Sequence, residues 1–360
     1  MDERYLQALS SITAATLTAL AAVEQTLRHL DPPRLPALRE RLAPHAGRLE
    51  TVLSEFRAIT PPEELRAFHD QLAEGADLAR RAIGLLHETP PPADTVPRVL
   101  AGMRAFCRAQ ESLYRLRFFP PLARWFVEPP LHERAEALDP EPPAGVRVGV
   151  MHTDGNDPDA RGGFSLYVPE RYDGSRPWPL VVALHGGAGS GRDFLWTWLR
   201  EARSRRFLLM APTSRGATWS LAGPDVDAPA LRSMVEYVSS EWRADPQRIL
   251  LTGLSDGATY ALRCGLRSDS PFTALAPVSG VLTPAALLDA GTAIAGRRIH
   301  LVHGARDWMF PIEAARAARD ALQAAGADLT FREIDDLSHT YPREENARIL
   351  AWFDPSLTPE

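Results

Sequence analysis

The residues best placed to do chemistry lie in RILLTGLSDGATYALRCGL, which carries Gly253-Leu254-Ser255-Asp256-Gly257. An apolar, strand-like run precedes Ser255, and a helix-compatible segment follows it. A sharp turn between the two lifts the serine hydroxyl above the sheet, and flanking glycines avoid steric conflict there. The helix that follows turns its positive end toward developing negative charge. A serine hydroxyl is a weak nucleophile without a base. His339, in DDLSHTYPREEN, follows the last strand-like run and precedes the final helical one, so it is the expected base. His185 and His303 compete for that role, but each is followed by glycine near a strand end and reads as a support for loop geometry. The acid that orients the base is expected at Asp307, in LVHGARDWMFP. Asp335 and Asp336 are nearer His339 in sequence and read as turn or surface acids.

Serine attack on an acyl carbon creates an oxyanion that needs two donors. One is expected from the backbone N–H of Asp256. The other should come from the His185-Gly186-Gly187-Ala188 loop, with Gly187 preferred and Ala188 second. The same loop lacks the lysine and the glycine spacing of a phosphate cradle. Trp196, Trp198, Trp219 and Trp308 fall on or near the predicted site loops; Trp219, Trp308 and Ala188 are carried forward as candidates for substrate contact.

These residues need a frame that brings distant loops together. VRVGVMHT, GGFSLYVPE, PLVVALHGG, FLLMAPT, RILLTGLS, FTALAPVSG, RIHLVHG and DLTFREI read as strands. Helical stretches are expected over 193–205, 229–242, 256–267, 312–325 and 343–353. Apolar strands alternating with helices predict an α/β fold, a mainly parallel sheet covered on both faces. Ligands then sit beyond the carboxyl ends of the strands.

The first third has a different grammar. Apolar residues at spacings of three and four mark four amphipathic helices, punctuated by prolines at 32–33, 61–62, 90–92 and 120–121. An up-down helical bundle over 1–128 is expected, then a linker or docking segment over 129–144, then the catalytic domain over 145–360. FFPPLARWFVEPP is rich in aromatics. It is expected to dock the bundle against the catalytic domain through Phe118, Phe119, Trp125 and Phe126, so that the bundle restricts acyl substrates.

The LHGG loop with Gly189-Ser190, GLSDGA, HGARDWMFP and LSHTYP together resemble the carboxylesterase/phospholipase-like branch of the α/β-hydrolase superfamily, near feruloyl-esterase and polyhydroxyalkanoate-depolymerase-like enzymes. The resemblance covers about 145–354 and leaves the helical third unaccounted for. It implies hydrolysis of small acyl esters. A thioesterase, a serine peptidase or a non-catalytic binding protein of the same fold would carry the same motifs.

Composition narrows the alternatives. Of 360 residues, 45% are hydrophobic and 24% charged, as in ordinary globular chains, and a net charge of −6 argues against a nucleic-acid partner. Two cysteines, Cys107 and Cys264, cannot form a disulfide framework or a thiolate metal cluster, and no motif calls for a metal or cofactor. MDERYLQ does not read as a secretory signal. The apolar stretch 12–30 is interrupted by Glu24, Arg28 and His29, so no integral membrane span and a cytoplasmic location are expected. The apolar faces of the helical region also leave room for homo-oligomer formation.

Overall fold

A computed structural model describes residues 3–153 and 160–360. The chain divides into two units, Met1–Glu136 and Ala137–Glu360.

The first unit is helical: α1 (Glu3–Arg28), α2 (Leu35–Arg57), α3 (Arg66–His87), α4 (Thr95–Tyr114) and a short α5 (Pro120–Ala123). The proline clusters lie between helices or in their first turns, where a missing N–H costs nothing. Four long helices meet the expectation. Their core includes Ile12, Leu20, Leu49, Phe56, Leu72 and Ile83, all essentially without solvent contact. His69 stacks on Phe56 at 4.0 Å, and burial pushes its pKa down. By length and composition α1 is the one helix among the described residues that could cross a membrane, but its Ile12, Leu20 and Val23 are buried and it packs along α2 and α3.

The aromatic segment makes contacts within its own unit. Phe119 packs edge-on against Phe68, Phe126 against Tyr114, and Trp125 Nε1 donates to Gln110 Oε1. Phe126 is buried there, while Phe119 and Trp125 are half-buried. Phe118 is 62% exposed.

The second unit is built on eight strands: β1 (Gly149–His152), β2 (Phe164–Val168), β3 (Trp178–Leu184), β4 (Leu208–Pro212), β5 (Ala244–Leu254), β6 (Ala274–Val278), β7 (Arg298–Gly304) and β8 (Asp328–Ile334). Their order is β1-β2-β4-β3-β5-β6-β7-β8. β1 and β2 pair antiparallel at one edge, β2 also runs antiparallel to β4, and every other pairing is parallel. The connecting helices are α6 (Gly191–Phe194), α7 (Leu199–Arg205), α8 (Asp227–Trp242), α9 (Asp256–Gly265), α10 (Pro284–Ala290), α11 (Ile312–Ala324) and α12 (Asn346–Phe353). β3 is buried at every position, so neither of its faces meets water. Leu184 pairs with Gly253 and Leu254 with Val278. That register brings the ends of β3, β5 and β6 to one level, the Val278–Val302 and Gly304–Ile334 pairs continue it to β7 and β8, and the loops after β3, β5, β7 and β8 carry the candidate site.

Candidate active site

Ser255 sits between β5 and α9 with φ +56° and ψ −117°, a backbone shape disfavoured for any residue with a Cβ. The glycines on either side are there for space. A Cβ on Gly257 would lie 2.5 Å from the carbonyl oxygens of Leu184 and His185, and one on Gly253 would lie 2.7 Å from the Gly257 backbone. The turn is thus pressed against the end of β3. Ser255 N–H donates to Val278 O and Ser255 C=O accepts from Thr259 N–H, which pins the strained residue on both sides.

His339 Nε2 lies 2.9 Å from Ser255 Oγ, and His339 Nδ1 lies 2.8 Å from Asp307 Oδ2. The structure brings together the three residues expected from sequence, from three separate loops. Asp307 is 6% exposed. Its Oδ1 accepts from the N–H groups of Met309 and Phe310 at 3.0 and 2.8 Å. Burial alone would raise its pKa; the His339 hydrogen bond, the Phe310 amide and the nearby His339 and His303 rings outweigh it and hold the carboxyl below its ordinary value. An ionised carboxylate only accepts, so Nδ1 carries the proton and Nε2 is left as an acceptor for the Ser255 hydroxyl. Asp335 and Asp336 are exposed.

The loop after β3 lies close to the serine: a Cβ on Gly186 would be 3.6 Å from Ser255 Cβ. Ala188 N–H donates to Ala217 O, and Gly189 N–H to Gly186 O, so both amides are spent within the protein. This removes Ala188, the second choice for an oxyanion donor, and leaves Gly187 as the candidate beside Asp256 N–H at the start of α9. The Asp256 carboxylate accepts from Thr218 Oγ1 at 2.6 Å.

Two supports for this loop carry no signal in a single sequence. Arg161 reaches from before β2 to donate to the Gly189 and Gly216 carbonyls, tying the loop after β3 to the loop after β4. The buried Asp227 accepts from Arg215 N–H and Ser220 N–H, and so shapes the stretch that presents Thr218. Each acts through contacts that only the fold creates.

His185 and His303 behave as loop supports. Ser214 N–H donates to His185 Nε2, so Nδ1 carries the hydrogen and gives it to Gly186 O. Burial drives the His185 pKa down to about 4. His303, buried, lies 2.8 Å through Nε2 from Phe310 O and 3.5 Å from Asp307 Oδ2. Of the tryptophans, Trp196 and Trp198 are buried in the core. Trp219 is only 3% exposed; its Nε1 donates to His185 O and its ring stacks on Tyr260, so it serves the loop scaffold and offers no open face to a substrate. Trp308 is 52% exposed, with its ring centroid 6.4 Å from that of His339. Among the described residues, no group of three or more His, Cys, Asp or Glu side chains is arranged to hold a metal ion.

The sequence profile of the Phospholipase/Carboxylesterase family matches residues 227–354, which span α8 to α12 with Ser255, Asp307 and His339 among them. The second unit is a carboxylesterase-like α/β-hydrolase. Its relatives include Esterase YpfH of Escherichia coli, 26% identical over 210 residues that cover 58% of this chain and 82% of the relative. They also include a probable feruloyl esterase C of Aspergillus terreus, 28% identical over 141 residues, 37% of this chain and 49% of the relative. The match thus spans about half the length of that feruloyl esterase. Among solved structures, an S-formylglutathione hydrolase from Agrobacterium tumefaciens superposes with a TM-score of 0.46 at 18% identity, over 58% of this chain and 95% of that one.

The buried histidines of this hydrolase unit predict acid lability. His300, packed against Trp352, also has its pKa lowered to about 4, first by burial and then by Arg348 and Arg332. His185 and His300 must stay neutral when folded but titrate near the ordinary histidine value of 6.5 when unfolded. Their folded pKa values are depressed, so the unfolded chain binds more protons between about pH 6.5 and 4. Stability is full above that window and falls through it as pH drops, by on the order of 3 kcal/mol for a shift of this size at His185. Denaturant midpoints measured from pH 7.5 to 4.5 should show the decline, and His300→Leu should make it shallower. An unchanged slope in the variant would contradict this assignment.

Proposed function

We propose that the hydrolase unit cleaves carboxylic esters by acyl transfer to Ser255. The observation that carries this reading is the unbroken chain from Ser255 Oγ through His339 to Asp307, whose remaining oxygen is held by two backbone amides. His339 Nε2 takes the hydroxyl proton as Oγ bonds to the acyl carbon. The Asp256 and Gly187 amides receive the oxyanion. The tetrahedral centre collapses with cleavage of the bond to the leaving oxygen, which collects the proton from His339. Water then repeats the sequence on the acyl-enzyme, and the acid is released.

Acyl transfer of this kind serves esters, thioesters and amides alike. Esters are favoured here because the curated relatives quoted above are named as esterases. The test is a matched panel sharing one acyl group: an alkyl ester, its thioester and its amide. The ester and thioester should turn over, with kcat/KM for the amide lower by several orders of magnitude, and a fluorophosphonate should label Ser255 at one equivalent. Amide cleavage at a rate near that of the ester would point to a peptidase. A well-folded protein with neither labelling nor turnover would point to a binding protein.

A further inference from the structure

Trp308 and Met309 are 52% and 45% exposed, yet they sit on a turn that is held rigidly. Asp307 Oδ1 accepts the Met309 and Phe310 amides, and Phe310 O lies 2.8 Å from the Nε2 of the buried His303. Loose surface loops are not anchored on both their N–H and C=O groups by buried side chains. The apolar surface is therefore presented in a fixed place, and that place adjoins the base: the rings of Phe310 and Trp308 stand at 5.2 and 6.4 Å from His339, at 86° and 73° to it.

We propose that Trp308, which like Phe310 stands edge-on to His339, is the subsite for the alcohol part of the ester, and that it favours flat apolar alcohols. The inference rests on the acyl-transfer reading above and follows from where the proton must go. During acylation the Oγ–C bond forms, the bond between the acyl carbon and the leaving oxygen breaks, and the serine proton passes through His339 Nε2 to that oxygen. The leaving oxygen must therefore come within hydrogen-bond reach of Nε2. Whatever is attached to it extends over the surroundings of His339, where Trp308 stands. The acyl chain is bound to the carbon whose oxygen faces Gly187 and Asp256, so it departs in another direction. A large exposed aromatic costs little side-chain entropy on binding and offers a broad apolar face to a ring.

The test uses the full-length protein and two ester series. In the first, one acid is joined to methyl, cyclohexylmethyl and benzyl alcohols; in the second, methyl esters carry acids of increasing size. For Trp308→Ala the benzyl-to-methyl ratio of kcat/KM should fall about tenfold, the loss expected when one aromatic contact disappears. Trp308→Phe should retain part of the preference. The acyl-size ratios should keep their wild-type order. Wild-type enzyme offers an independent readout: the alcohol that attacks an acyl-enzyme occupies the site from which the first alcohol left. Benzyl alcohol should thus capture the acyl group in preference to methanol at equal concentration, and Trp308→Ala should abolish that preference. An unchanged benzyl-to-methyl ratio, or a change confined to the acyl series, overturns the assignment. Labelling of Ser255 by a fluorophosphonate separates the two readings: if the wild type labels but its alcohol preference ignores Trp308, only the subsite fails; if it does not label, the acyl-transfer reading fails with it.

Discussion

Ser255→Ala is expected to lower ester turnover by about 10⁴–10⁶-fold, the loss typical when a serine nucleophile is removed. Covalent labelling by a fluorophosphonate should vanish with it. The fold should survive. Both Ser255 backbone hydrogen bonds, to Val278 O and from Thr259 N–H, are independent of the side chain. Alanine at φ +56° carries the same Cβ strain that serine already bears, so the substitution adds none. The change deletes one oxygen, and the His339–Asp307 hydrogen bond does not depend on it. A thermal melt alongside the kinetics separates the two effects. Near-normal turnover by a well-folded variant would remove Ser255 from the mechanism.

Ser255, Asp307 and His339 are legible in the amino-acid sequence for a local reason. Each follows a legible strand, apolar before Ser255 and Asp307 and alternating before His339, in a loop with its own punctuation: Gly253 and Gly257 around the serine, Gly304 before the acid, Pro342 after the base. Buried parallel strands announce themselves because both faces must be apolar, and β7 matches its expected run at both ends; β8, a half-exposed edge strand, is marked by alternation instead and also matches at both ends. The helical third is readable for a similar reason, since its core-facing stripes recur at the helical period.

Local pattern fails where a tertiary contact overrides it. The residue pattern over 193–205 predicts one continuous helix, but the chain breaks into α6, a 3₁₀ turn over Leu195–Thr197, and α7. The break leaves Thr197 O outside a regular ladder, where it accepts from Arg343 Nε and Asn346 Nδ2, donors 146 and 149 residues away. No window of sequence contains that information. Trp219 looks like a substrate contact because its loop belongs near the site. The loop is there, but the indole turns inward to cap His185 O, a choice set by Tyr260 and His185 from other elements. By contrast, α10 is missing from the expected helices although Thr283-Pro284 is a legible helix start: Thr283 Oγ1 caps Ala286 N–H, and proline occupies the first turn.

Asp307→Asn should keep the fold and lower kcat by about 10⁴-fold, because it traps His339 in the wrong tautomer. The two amides on Oδ1 decide this outcome. An asparagine has one carbonyl oxygen and one NH₂ group to place in the two carboxylate positions. With the oxygen at the Oδ1 position, Met309 N–H and Phe310 N–H keep their acceptor, and NH₂ faces His339 Nδ1. In the other orientation, NH₂ would confront two backbone donors now 3.0 and 2.8 Å from Oδ1 and take away the acceptor of both part-buried amides. The first orientation wins. Nδ1 must then accept, the proton moves to Nε2, and the Ser255 hydroxyl faces a donor in place of a base. Acylation by a fluorophosphonate should slow in parallel with ester turnover, since both need the same proton transfer, while the thermal midpoint should move far less than the rate. Asp335→Asn and Asp336→Asn, at exposed positions, should leave kcat within about twofold of wild type. If either of those inactivated the enzyme while Asp307→Asn remained active, the orienting acid would have to be reassigned.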